Sequence, residues 1–206
     1  MTENHTMTDS QIWDAVAAER RSLHALLTEL PESAWDHQSL CADWRVRDVV
    51  AHVALSAHAN LTWILRELLR ARGNLDRAIR DTAIRHADRT PTPELLAELQ
   101  ATIPTRTTAL GTTPADRLMD LLVHGQDIAV PLNLPYEMPT PAAQVALNRI
   151  WTTSAPFHAR KKLRGYHLSA TDTDWAAGHG KTIAAPAATL LMLVTGRIDV
   201  EAIVQN

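Results

Sequence analysis

The stretch ADWRVRDVVAHVALSAH, Ala42 to His58, opens on a polar turn and then runs into valines and alanines at helical spacing, with one imidazole, His52, among them. The spacing predicts a helix from Val46 to about Ala71, where Gly73 and Asn74 supply a stop signal. Its core-facing stripe reads Val50, Ala57, Leu61, Ile64 and Leu68. His52 lies off that stripe, in line with Ser56, Ala59 and Trp63, where small neighbours suit a pocket or solvent equally well. A second isolated imidazole stands in RLMDLLVHGQDIAV, Arg117 to Val130, with Asp120 one helical turn before His124 on the same face. Leu121 and Ile128 flank this pair on one side, and Met119, Val123 and Val130 on the other. A carboxylate and an imidazole between apolar flanks need a partner, and a divalent cation is one that neutralises the aspartate. The plainer readings are an ordinary buried Asp–His hydrogen bond and, for His52, an exposed histidine. Asp127, one turn beyond His124, suits an acceptor that holds the imidazole from behind, or a residue that solvates the helix edge.

The rest of the chain is also mainly helical. Ile12, Val16, Leu23, Leu26 and Leu27 predict a first helix over Asp9–Leu30, closed by Pro31, and a polar loop with Trp35 and Trp44 follows. After the second helix comes a charged segment through Arg89. A third helix runs from Thr92, read as an N-cap before Pro93, towards Gly111, with Pro104 kinking or dividing it. Leu118, Leu121, Leu122 and Ile128 mark the next, after Thr113 and Pro114 and ending at Pro131. A fifth begins near Pro141 and breaks by Pro156. Beyond Gly165, YHLSATD, DWAAGHG and KTIAAP read as a small antiparallel sheet, and Pro186–Thr195 as a final buried helix. The expected architecture is an up-and-down helical bundle over residues 1–135, then a C-terminal helix with a small mixed α/β element over 136–206.

Composition narrows the function classes. Twenty Lys and Arg stand against twenty-three Asp and Glu, with both signs interspersed, so neither nucleic acid nor an anionic membrane surface is an expected partner. The apolar run Ala184–Gly196 is too short for the roughly 20 residues of a membrane span, and MTENHTMTDSQ lacks the pattern of a signal peptide. The single cysteine, Cys41, excludes an internal disulfide and fits a cytoplasmic protein; Cys41 itself reads as a small packed residue. The excess of arginine over lysine, with abundant alanine, suggests a GC-rich genome.

Competing motifs are weak. GHGK, Gly178 to Lys181, is too short for a phosphate loop and sits at an expected sheet turn. No serine lies in a nucleophile elbow. The basic run Arg160, Lys161, Lys162 and Arg164 reads as a charged helix end rather than an anion site. His5 lies in the tail; His24, His37, His58 and His86 have no paired spacing, and His158, His167 and His179 fall near the C-terminal element.

The motifs DWRVRDVVAHVA and MDLLVHGQDIAVPL, with LSATDTDWAAGHG and LLMLVTGR downstream, resemble the mycothiol-dependent maleylpyruvate isomerase family of the DinB/YfiT-like superfamily, over about Trp13 to Arg197. The resemblance implies a four-helix bundle with a metal at one end, held by a histidine of the second helix and an acidic-or-histidine, x, x, x, histidine pair of a later one. Matched by motif, the metal ligands are His52, Asp120 and His124, and the ion is zinc or another divalent transition metal. Two positions depart from the pattern. Arg45 stands where a Ser or Thr is usual before the second helix, although Asp48 favours that helix's positive end, and Asp120 is one methylene shorter than the frequent glutamate.

By resemblance the activity is that of a metal-dependent enzyme, actinobacterial in type, that uses mycothiol. A thiol in the open coordination position loses its proton to give a nucleophile, which attacks a small electrophilic substrate by S-transfer or by addition, rotation and elimination. Two alternatives stand beside it. One is a hydrolase in which water replaces the thiol. The other is a non-catalytic bundle that binds a metal, ligand or protein partner, alone or as a homodimer. Trp63 reads as core rather than pocket wall.

Overall fold

The computed structural model describes residues 7–58, 61–109 and 111–204, so His5 and Ala59 lie outside the described residues. The described chain is mainly helical, with one small sheet near its C-terminus, and it divides into two compact units. Trp13–Tyr136 form one, and Met1–Ile12 with Glu137–Asn206 the other.

Helix α1 spans Asp9–Thr28, and a 3-10 turn, Glu32–Asp36, follows it. Within the first unit, Val16, Leu23 and Leu27 of α1 are fully buried. Arg20, on the same face, donates to the carbonyls of Thr102 at 2.5 Å and Thr105 at 2.7 Å. The long second helix expected from the sequence is two helices, α2 over Val46–Ser56 and α3 over Leu61–Arg70. The carbonyls at the end of α2 accept from side chains. Arg117 Nη2 donates to the Ser56 carbonyl at 2.9 Å and Thr107 Oγ1 to that of Ala57 at 2.7 Å. Leu61, expected on the core-facing stripe, is exposed.

The start of α2 resolves the question raised by Arg45. Asp48 accepts from the Arg45 backbone N–H at 2.8 Å, and its two oxygens take the Arg45 guanidinium at 2.9 Å each. Asp48 thus takes the part of the acidic N3 residue of a capping box, and its charge favours the positive end of the helix.

The charged segment before Arg89 is a helix, α4, over Leu75–Ala87. Its buried face is made of small residues, Ala78, Thr82, Ala83 and Ala87, so no stripe of large apolar side chains marks it. Asn74 caps it by accepting from the Arg77 N–H at 2.8 Å.

Helix α5 spans Thr92–Thr102; Ile103 keeps helical backbone, and Pro104 after it has no N–H to carry the ladder on. Thr92 is its first helical residue, not its cap. The Thr92 hydroxyl is occupied elsewhere, donating to Glu32 Oε1 at 2.7 Å. Helix α6, Pro114–Ala129, begins as read, with Thr113 N–H donating to Asp116 Oδ2 at 2.7 Å. Helix α2 packs against α4, α5 and α6, which places it at the centre of this unit.

The second unit carries α7 (Thr140–Thr152), α8 (Ala159–Lys162), β1 (Gly165–Ala170), β2 (Ala176–Gly178), β3 (Gly180–Ala185), α9 (Ala187–Val194) and α10 (Val200–Val204). The sheet is mixed rather than antiparallel. Its order is β2-β1-β3, with β1 antiparallel to β2 and parallel to β3. His179 alone separates β2 from β3, and Gly180 permits the crossing, because a Cβ there would lie 2.1 Å from the Gly165 carbonyl oxygen. Helix α9 packs on α7 and β1. Arg160 donates to the Thr152 carbonyl at 3.0 Å, in keeping with its reading as a charged helix end. No described helix is long and apolar enough to cross a membrane.

Candidate metal centre

All the side chains of the candidate site belong to the unit Trp13–Tyr136. His52 comes from the middle of α2, and Asp120 and His124 project one turn apart from α6. Their ligand atoms lie within 4.8 Å of one another. Both imidazole Nε2 atoms stand 3.4 Å from the same carboxylate oxygen, Asp120 Oδ1, and the two rings meet edge-on with centroids 4.9 Å apart.

His124 is fixed from behind. Its Nδ1 lies 2.9 Å from Oδ2 of Asp127, which is fully buried. A carboxylate there holds the ring with its Nδ1–H towards Asp127 and turns Nε2 to Asp120 and His52. Burial pushes the Asp120 carboxyl up, but the facing His52 and His124 outweigh it and hold it well below the usual carboxylate range. Burial likewise works against the His124 imidazolium, and Asp120, Asp127 and Cys41 together raise its pKa well above the ordinary histidine value. Two imidazoles and a carboxylate aimed at one small volume form a donor set that suits a divalent transition metal.

Three contributors were not singled out from sequence. Trp44, 6% exposed, packs its ring against both imidazoles, with centroids 5.1 Å from His52 and 5.8 Å from His124. Cys41, read as simple packing, donates Sγ–H to Asp127 Oδ2 at 3.0 Å and lies 3.8 Å from His124 Nδ1. Cys41, His124 and Asp127 thereby form a second group with ligand atoms within 4.8 Å, sharing His124 with the first. Arg117 Nη1 stands 3.5 Å from Asp120 Oδ2 and donates to Ser56 Oγ at 2.7 Å. Its signal was present in the spacing, since positions 117, 120 and 124 share one face of a helix. No spacing rule reaches Trp44 or Cys41, which arrive from the loop before α2.

Beside His52 and Arg117 opens a cavity of about 320 Å³ walled by α2, α3, α4 and the segment ahead of α6. Trp63 lines it, half-buried, so this residue is pocket wall and not core. Elsewhere in the same unit, His86 pairs with Glu98 at 2.7 Å, a link between α4 and α5 that gives this histidine a structural role.

Residues 16–129, more than half of the chain, match the family model of the mycothiol maleylpyruvate isomerase N-terminal domain. The chain belongs to that family. Two solved structures share its fold. A crystal structure of a mycothiol-dependent maleylpyruvate isomerase has a TM-score of 0.61 at 15% identity, covering 96% of this chain and 93% of its own. A histidine-to-alanine mutant of such an isomerase has a TM-score of 0.66 at 14% identity over the same shares. No curated protein matches the sequence. The family and the fold agree with the architecture expected from the motifs around His52 and His124, and the matched region contains all three of the side chains that meet there.

Proposed function

We propose that the chain is a metal-dependent enzyme that activates a small thiol, mycothiol in view of its family, for attack on a small electrophile by S-transfer or isomerisation. The observation that carries this reading is the meeting of His52, Asp120 and His124 beside a cavity of which His52 is itself a wall. His52, Asp120 and His124 would hold a divalent cation, zinc or a similar ion, whose chemistry there would be to lower the cost of deprotonating a thiol at neutral pH.

The chain's own residues supply the rest. Asp127 orients His124, and Trp44 packs against both imidazole rings, so neither ring is free to swing. Arg117, anchored by Ser56, presents a cation at the edge of the cavity and offsets part of the charge on Asp120. In S-transfer the sulfur forms a bond to the electrophilic carbon and the thiol's proton ends on the product or the leaving group. In isomerisation the same addition is followed by rotation and elimination, which returns the thiol.

The test is turnover of activated alkenes by metal-loaded protein with and without mycothiol. Thiol-dependent consumption that is lost in His52→Ala and His124→Ala is the expected result. Hydrolysis of esters or amides without thiol would instead favour a metal hydrolase, and metal retention with neither activity a binding protein.

A further inference from the structure

The cavity beside the triad indicates what kind of electrophile the site takes. Its volume, about 320 Å³, is roughly twice the ~150 Å³ that accepts a benzene ring, which leaves room for about a dozen heavy atoms. Leu55, Trp63, Ile64, Leu75 and Ile79 give most of the wall an aliphatic and aromatic character. Among the described lining residues there is one fixed cation, Arg117, and no carboxylate.

That cation is already engaged. Arg117 donates to the Ser56 hydroxyl at 2.7 Å and to the Ser56 carbonyl at 2.9 Å, and it faces Asp120 at 3.5 Å. A dicarboxylate such as maleylpyruvate would bring two negative charges to a cavity whose one guanidinium is already engaged and whose other cation, the ion proposed at the triad, stands at the same His52 end. A carboxylate away from that end would face leucine and isoleucine, with Leu75 and Ile79 partly open to water, and would gain nothing from that wall. An aryl or branched-alkyl body instead removes that apolar wall from water.

We infer that the electrophile has an apolar body of about a dozen heavy atoms that fills this cavity, with a single polar, electron-withdrawing end at His52 and Arg117, and that such a body is taken in preference to a small dicarboxylate. The inference rests on the thiol-dependent reading for the word electrophile; the apolar character of the ligand rests on the cavity alone. For an α,β-unsaturated ketone, the sulfur bonds to the β-carbon, the alkene pair moves towards the carbonyl, and the thiol's proton finishes on the α-carbon. No oxidant or reductant enters.

The test is calorimetric binding of benzylideneacetone, a phenyl enone, and of maleate to the full chain without thiol. The enone is expected to bind at least about tenfold more tightly than maleate. Leu75→Asp puts a carboxylate into the cavity wall from the first turn of α4, where acidic residues favour the helix, and is expected to weaken enone binding roughly tenfold or more. Ile79→Asp, one turn on, serves as the second variant. His124→Ala leaves the apolar wall intact and should retain enone binding. Equal or tighter binding of maleate, or unchanged enone affinity in both aspartate variants, would overturn the assignment. Turnover with added metal and mycothiol separates the two readings. Thiol-dependent consumption confined to maleate sinks the apolar assignment and leaves the thiol reading standing, whereas enone binding of the expected pattern without any turnover does the reverse.

Discussion

Asp127 never touches the place where His52, Asp120 and His124 meet, yet the geometry depends on it. Its carboxylate is buried, accepts from Cys41, and holds His124 Nδ1 at 2.9 Å. Replacing it with alanine frees the ring to rotate and removes the partner of its Nδ1–H. Asp127→Ala is therefore expected to weaken metal affinity by about 10–100-fold while leaving the helical content intact, as read by competition with a chelating dye and by circular dichroism. Glu67 shows the same logic away from the site. Its buried carboxylate receives Arg70 at 3.1 Å, Arg85 at 2.5 Å and the Thr82 hydroxyl at 3.1 Å. Burial pushes the group up, but Thr82 and the arginines outweigh burial and leave its pKa below the ordinary 4.5. A carboxylate lowered on folding contributes stability that is present above pH 4.5 and lost as the pH falls through its folded value. Glu67→Gln should thus cost about 1–3 kcal/mol in urea unfolding at pH 7, with the gap from the wild type narrowing in acid. A gap that widens below pH 4.5 would contradict this sign.

The helices differ in how plainly the sequence declares them. Helix α6 is legible because Leu118, Leu121, Leu122 and Ile128 set the period while Thr113 and Pro114 mark its start, and the same period puts Asp120 and His124 on one face. Helix α4 is not, because alanine and threonine make its buried face and arginines surround it. At the end of α2 the carbonyls of Ser56 and Ala57 accept from Arg117 and Thr107, residues far along the chain whose hydrogen bonds no local pattern announces. Trp44 and Cys41 escaped for the same reason, since a loop residue's partners are set by tertiary packing. One helix position admits a sharp test. A Cβ on Gly125, beside His124, would lie 2.4 Å from the ring of Tyr136, whose hydroxyl is held by the buried Glu19 at 3.0 Å. Gly125→Ala must displace that ring or shift α6. It is expected to cost about 1–3 kcal/mol in denaturant unfolding, despite alanine's better helix propensity. A stabilising outcome would show that Tyr136 yields without cost.

At the scale of the whole molecule, the mainly helical class and the small C-terminal sheet could be read from apolar periodicity and turn residues, but the strand directions could not. Alternation along β1 and β3 specifies which face is buried, and it is silent on whether neighbours run parallel. Every side chain of the candidate centre and of the cavity belongs to residues 13–136, so a bound ion reports on the folding of that unit. An ion that binds only the folded chain adds about 2.7 kcal/mol at a hundredfold excess over its dissociation constant. For a chain of this size that corresponds to roughly 5–10 °C in Tm. Zinc is expected to raise Tm by that order and a chelator to reverse it, with both effects absent in His124→Ala.

The most direct test is elemental mass spectrometry of purified protein grown with ample zinc, comparing the wild type with His124→Ala at matched helical content. Near-stoichiometric metal in the wild type, lost in the folded variant, is the expected result. A metal-free wild type under those conditions, or equal metal in both proteins, would contradict a centre built on His52, Asp120 and His124.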